Sequence, residues 1–167
     1  IYIHPAAGDS GGALGAALYL YHHALNNQKR TDFNSVFLGS QNQDLDIVKF
    51  LTNKGVAYQK LAAEKLLESL ADSLANGKVV GWVQGRFEWG PRALGHRSIL
   101  ADPRSIKMKD IVNRKIKFRE AFRPFACSVL EEKTKQYFDV KTVYPFMTST
   151  ANVKLGKRKR IPSVVHI

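Results

Sequence analysis

The sequence predicts a mixed α/β (α+β) layered architecture, and three observations carry that expectation. Helical and strand-like stretches follow one another in mixed order along the chain. Two of the helical stretches end at glycines, Gly55 and Gly77, where a helix C-terminus favours a residue free of Cβ. The composition, 44% hydrophobic and 24% charged over 167 residues, is that of a globular chain and excludes disorder, collagen and coiled coil. No apolar run of 18 residues and no basic-then-apolar leader occurs, so no membrane span or secretory signal is expected. A single cysteine, Cys127, excludes an internal disulfide and fits a reducing, cytoplasmic setting.

From the N-terminus, the glycine-rich segment Gly8 to Gly15 passes into a helical stretch, Ala16 to Asn26, with Leu14, Ala17, Leu18, Tyr21 and Leu25 on one face, whose start Asp9 or Ser10 could cap. Residues 27–43 are polar and read as a linker holding one short strand, Ser35 to Leu38. Asp44 to Lys54 and Ala62 to Asn76 are amphipathic helices, carried by Leu45, Val48 and Leu51 and by Leu66, Leu67, Leu70 and Leu74. Lys78 to Gln84 reads as a buried strand, a Gly/Pro/Arg-rich loop follows to Arg97, and Ser98 to Ala101 reads as a second strand. Residues 106–117 are expected to be helical, and Ala126 to Leu130 and the closing Ser-Val-Val-His-Ile to be strands. The abrupt start, without Met, and the apolar end suggest a piece of a longer polypeptide.

The formal charge of +12 is unevenly distributed. Residues 1–85 hold 7 basic and 7 acidic side chains, residues 86–123 hold 11 and 4, and residues 124–167 hold 8 and 3. A positive field confined to part of a chain attracts phosphates, whether on nucleic acid, a nucleotide, a lipid or a small substrate.

Several motifs compete to explain it. The pentapeptide around Ser10 resembles the nucleophile segment of trypsin-like proteases, but a helix follows at once and Cys127 is alone, so that reading fails. A Gly-rich turn facing a phosphate, Asp9 as a metal ligand, and Asp9 as a simple helix cap all stay open. The segment Gly85-Arg86-Phe87-Glu88-Trp89-Gly90-Pro91-Arg92-Ala93-Leu94-Gly95-His96-Arg97-Ser98, here the arginine loop, sets three guanidinium groups on a loop after a strand. Guanidinium forks match phosphate and carboxylate oxygens, and Glu88 could orient one of them. A solvated basic loop is the alternative. In a second cluster, residues 113–123, Lys115, Arg119 and Arg123 would share a face at i, i+4, i+8 if helical and could wall an anion pocket opposite the loop. An ordinary solvated face is again the alternative. Lys157-Arg158-Lys159-Arg160 reads as a charged surface turn, and Cys127 as a structural thiol.

The stretch from Gly85 to Arg104 resembles the signature of the O-carbamoyltransferases, which act on nodulation factors, cephamycin-type antibiotics and aminoglycosides. Asn113 through Val129 is similar to the family's next block, and His4-Pro5-Ala6-Ala7-Gly8-Asp9 through Leu18 to the end of its N-terminal domain. The resemblance implies three regions: residues 1–28 as the end of a sugar-kinase/Hsp70-type ATPase-like domain, 29–43 as linker, and 44–167 as an incomplete YrdC/Sua5-like domain with a twisted mixed sheet flanked by helices. It implies synthesis of carbamoyl-adenylate from carbamoyl phosphate and ATP with Mg²⁺, then transfer to a hydroxyl of a natural product or sugar, using iron in the N-terminal domain against which this region would pack. It gives Lys115 and Arg119 catalytic roles, Arg86, Arg92, Arg97, Ser98 and Arg123 substrate or nucleotide contacts, and Asp9 a place among the metal ligands. A basic RNA- or tRNA-binding module is the alternative function, although no RNA-reading aromatic motif is visible.

Overall fold

The computed structural model describes residues 3–30, 33 and 35–166, so Thr31, Asp32 and Asn34 of the expected linker and Ile167 of the expected last strand lie outside the described residues. The class is the expected one, α+β, with helices and small sheets. Two compact units form: Ile1–Ala57 with Val83–Ser98 and Pro145–Thr148, and Tyr58–Trp82 with Ile99–Tyr144 and Ser149–Ile167.

In the first unit, helix α1 spans Asp9–Tyr19 and widens into a π-helical turn, Leu20–Ala24. Gly11, Gly12 and Gly15 are therefore inside the helix, which starts ahead of the expected Ala16, and neither Asp9 nor Ser10 caps it. Gly8 takes the cap position in extended backbone with no side-chain hydrogen bond. The reason is the tight turn before it: the Gly8 N–H donates to the Ala6 carbonyl at 2.8 Å, which brings that carbonyl so close to Gly11 that any Cβ there would overlap it. Helix α2 spans Asp44–Asn53, with Asp44 and Asp46 in its first turn where the helix dipole favours them. Gly55, at φ +64°, ends it as expected. The expected strand at Ser35–Leu38 is loop. Its place is taken by pairing one step later, where Gln41 bridges Arg86, the Gly39 N–H donates to the Phe87 carbonyl and the Phe87 N–H to the Ser40 carbonyl, each at 2.9 Å. Buried Ala6, Val36 and Glu88 form the interior.

In the second unit, helix α3 spans Ala63–Ala75 and stops at Gly77, φ +76°. None of the α2 or α3 residues is buried, and Leu45 stays 74% exposed. Strands β1 (Val80–Val83) and β2 (Arg97–Leu100), whose residues 83, 97 and 98 are counted with the first unit, form one two-stranded sheet. Helix α4 is short, Met108–Ile111, and passes into a π-helical turn, Val112–Ile116. A 3-10 turn, Glu131–Lys133, leads into α5, Thr134–Tyr137. Strand β3 (Phe138–Asp139) pairs antiparallel with β4 (Asn152–Val153), Phe138 opposite Val153. Residues 126–130 pair with nothing regular, so the strand expected there does not form. The chain's end is a 3-10 turn, Pro162–Val164, rather than a strand. It is anchored by Ser163, whose N–H donates to the Pro103 carbonyl at 3.2 Å and whose hydroxyl donates to the Ser105 carbonyl. Met108, Val112, Asn113, Val153, Ile161 and Ser163 make the buried centre of this unit.

Candidate functional site

The arginine loop folds around Glu88. This side chain is only 6% exposed, and one of its oxygens, Oε1, accepts the backbone N–H groups of Leu94 (2.6 Å), His96 (2.8 Å) and Arg97 (3.1 Å). The other oxygen, Oε2, is buried without a hydrogen-bond partner. Burial pushes the carboxyl pKa up, but the backbone donors of Leu94, Glu88 itself, His96 and Arg97 outweigh it and hold the group below its ordinary value. Glu88 thus orients main chain, not a guanidinium as the sequence suggested. Gly90 and Gly95, at φ +115° and +105°, supply backbone that L side chains rarely adopt, and a side chain at Gly90 would also press on Ala6. The Gly95 N–H donates to Ser98 Oγ at 2.9 Å, and Gln84 Nε2 donates to the Gly95 carbonyl at 3.0 Å. Trp89 is held from behind: its N–H donates to the Val36 carbonyl at 2.6 Å, and its ring meets Phe33 and His4 edge-on.

The three loop arginines do different things. Arg86 donates from Nε to the Gly39 carbonyl and from Nη2 to the Leu38 carbonyl, both at 3.0 Å, and so ties the loop to residues 38–39. His96 reinforces it. Its Nδ1 lies 2.7 Å from the Arg86 carbonyl, which can only accept, so that nitrogen carries the proton, and its ring stacks on Phe37 at 3.7 Å. Arg97 is exposed with its guanidinium 5.5 Å from the centre of the Phe87 ring. Arg92 is exposed and bonds none of the described residues. The loop therefore presents Arg92 and Arg97 outward while Arg86 and Ser98 maintain its shape.

The second cluster is not a continuous helix. The wide turn ends at Ile116, and Phe118 takes φ +48°, so Lys115, Arg119 and Arg123 do not share a helical face. Asn113 replaces that arrangement. It is fully buried, its Nδ2 donates to the Ala121 carbonyl at 3.3 Å and the Arg123 carbonyl at 2.9 Å, and its Oδ1 accepts from Arg119 Nε at 2.7 Å. The Arg119 guanidinium also lies 4.9 Å from the centre of the Phe125 ring. Arg119 and Arg123 are thereby held by one amide. Arg123 pairs loosely with Glu120 at 3.5 Å, while Lys115 is exposed and bonds none of the described residues. Sequence reasoning missed Asn113; the available signal was a neutral polar residue beside Val112 on the apolar side of a helical pattern.

Elsewhere in the second unit, a cavity of about 620 Å³ is lined by residues that include Arg104, Cys127, Lys133, Tyr137, Lys159 and Arg160. The basic tetrapeptide is a 3-10 turn, Leu155–Arg160, so the surface-turn reading stands. A bond to the Arg104 side chain, then the opposing effect of burial, leave the Asp102 carboxyl below its ordinary value. Burial raises the Cys127 thiol, as a structural cysteine would have it. Asp9 is exposed in the first turn of α1, and no three His, Cys, Asp or Glu among the described residues converge to hold a metal. The described residues do not make an iron site on their own. Among them no helix is long and apolar enough to cross a membrane.

The family of the carbamoyltransferase C-terminus matches residues 71–167. The chain belongs to the carbamoyltransferases. That match takes in both the arginine loop and the Asn113 cluster. The carbamoyltransferase chain is also 40% identical over 171 residues to nodulation protein NolNO of Sinorhizobium fredii, covering 100% of this chain and 25% of that protein. It is 38% identical to nodulation protein NolO of Bradyrhizobium diazoefficiens, covering 100% and 31%. An uncharacterized Synechocystis protein is 46% identical over 160 residues, covering 92% and 26%. The chain spans about a quarter to a third of the length of these curated relatives.

Proposed function

We propose that this chain is the carbamoyl-activating part of an O-carbamoyltransferase, which binds carbamoyl phosphate and ATP and forms carbamoyl-adenylate. The balance of that reaction requires one water: carbamoyl phosphate yields carbamate and orthophosphate, and a carbamate oxygen attacks the α-phosphorus of ATP as pyrophosphate leaves. Lys115 and Arg119 stabilise charge developing on phosphorus, while Arg92, Arg97 and Arg123 bind phosphate oxygens, with Arg86 and Ser98 keeping the loop in shape. Positioning and electrostatics suffice for such a step, which needs no covalent nucleophile. Mg²⁺ accompanies the phosphates of ATP. The carbamoyl group then passes to a hydroxyl of an acceptor, a natural product or sugar, in the ATPase-like domain. Asp9 contributes one ligand to that domain's metal, and the reaction runs in the cytoplasm.

The observation that carries this reading is a preorganised loop, built on a buried carboxylate, that leaves Arg92 and Arg97 exposed within the family-matched segment. The test is isotope exchange of pyrophosphate into ATP by a polypeptide of the relatives' length carrying this chain. Exchange is expected only with carbamoyl phosphate present. Lys115→Ala should lower it by about 10²–10³-fold with an unchanged melting curve, as expected for loss of one charge-stabilising donor. Exchange that ignores carbamoyl phosphate, or RNA binding that weakens steeply with salt, would replace this reading. For Asp9, iron content of the same polypeptide should fall in Asp9→Ala; unchanged iron removes Asp9 from the ligand set.

A further inference from the structure

We propose that Glu88 is the positioning residue of the arginine loop, occupying with its own carboxylate the anion nest formed by the backbone N–H groups of Leu94, His96 and Arg97 and so leaving anion binding to the Arg92 and Arg97 side chains. Three N–H groups, of Leu94, His96 and Arg97, converge on Glu88 Oε1. Converging main-chain donors of this kind are a ready anion site, and here the anion is covalently supplied. The donors belong to consecutive parts of one turn, so a single oxygen sets the direction of the chain that carries Arg97 and ends at Ser98. Arg92 lies between Glu88 and the bonded turn, bounded on one side by Gly90 at φ +115° and on the other by Gly95 at φ +105°. Glycines allow that path but do not select it; the buried carboxylate does. Glu88 itself is too buried to meet a ligand, with 6% of its surface exposed, so it acts through the arginines.

This inference rests on the anion-binding reading above, and it predicts an effect opposite in sign to simple electrostatics. Glu88→Gln makes the chain one unit more positive, so long-range attraction alone would tighten anion binding. Positioning predicts the reverse. In the 167-residue chain, calorimetric titration with inorganic pyrophosphate and with ATP should show Glu88→Gln binding at least ten-fold more weakly than the parent. Asp102→Asn makes the same charge change at an ion pair outside the loop and should bind no more weakly than the parent. Amide hydrogen exchange without ligand should be at least ten-fold faster at Leu94, His96 and Arg97 in Glu88→Gln and unchanged in α3. Equal or tighter binding by Glu88→Gln, or unaltered exchange at the three amides, overturns the proposal. Should Glu88→Gln fail to fold, Glu88→Asp keeps the charge but shortens the reach by one methylene, and the same loosened amides and weakened binding are expected. A parent chain that binds neither probe sinks the carbamoyl-phosphate and ATP reading, while the exchange measurement still decides the role of Glu88.

Discussion

The arginine loop and the Asn113 cluster are both irregular basic segments folded around one buried side chain, but one hub is an anion and the other a neutral amide. Asn113 satisfies both of its polar atoms, donating to two carbonyls and accepting from Arg119. Glu88 gathers three donors on one oxygen and leaves the other without a partner. An amide can both donate and accept, so it suits a turn that offers carbonyls together with a guanidinium. A carboxylate only accepts, so it suits a turn that brings the N–H groups of Leu94, His96 and Arg97 together. Both charge-rich segments are thus shaped around a buried hub, with the Arg86 and Arg119 side chains adding hydrogen bonds of their own while those of Arg92 and Arg97 add none among the described residues. The two hubs should also differ in their response to pH and to truncation.

The largest effect should come from Asn113→Leu. It removes three side-chain bonds from a fully buried site and leaves the Arg119 Nε and two carbonyls unpaired, at a cost of roughly 3–4 kcal/mol. Urea denaturation checks it, and a loss under 1 kcal/mol would show that the amide is not the hub. Next, Glu88→Ala should cost about 2–3 kcal/mol, less because water can reach the freed N–H groups of a surface loop. An equal loss at both sites would erase the distinction drawn between them.

Acid should separate the hubs without mutation. Glu88 and Asp102 both titrate below their ordinary values in the folded chain. Their contribution is therefore present above the unfolded-state values and lost as pH falls through the folded ones, below about pH 4.5. The thermal midpoint should hold from pH 7 to 5 and then drop, with amide exchange at residues 94–97 rising before exchange at 119–123. Asn113 has no proton to take up. A Glu88→Gln chain that loses stability in acid as steeply as the parent would contradict this. The smallest effect is expected for Arg86→Lys, which cannot hold the Leu38 and Gly39 carbonyls together through one planar fork. About 1 kcal/mol should be lost, seen as a small shift in the denaturation midpoint.

Much of the regular structure was legible in the sequence. α2 and α3 run close to the limits read from their apolar spacing and from Gly55 and Gly77, because a helix start and stop depend on residues within a turn or two. β1, β2 and the loop between them were also legible, since Gly and Pro cluster where a ladder cannot continue. The failures have one cause in common. The strands expected at 35–38 and 126–130 were apolar enough, but a strand needs a partner, and pairing fell instead to Gln41 with Arg86 and to the Tyr137–Asp139 region with residues 152–154. The row Lys115, Arg119, Arg123 failed because Asn113 draws the 121 and 123 carbonyls back toward itself, a long-range bond that no helical spacing announces.

By itself the sequence determined the α+β class, the family, the limits of α2 and α3 and the segments that bear the positive charge, all properties set by composition, local periodicity or contiguous motif. Only the tertiary structure decided which charges are free. Whether Arg86 reaches the carbonyls at 38 and 39, and whether Glu88 holds a guanidinium or three backbone N–H groups, depend on residues six to 48 positions apart meeting in the folded unit around the buried Glu88 carboxylate. There an unpaired polar group is costly, and the choice of partner follows from geometry rather than from residue type.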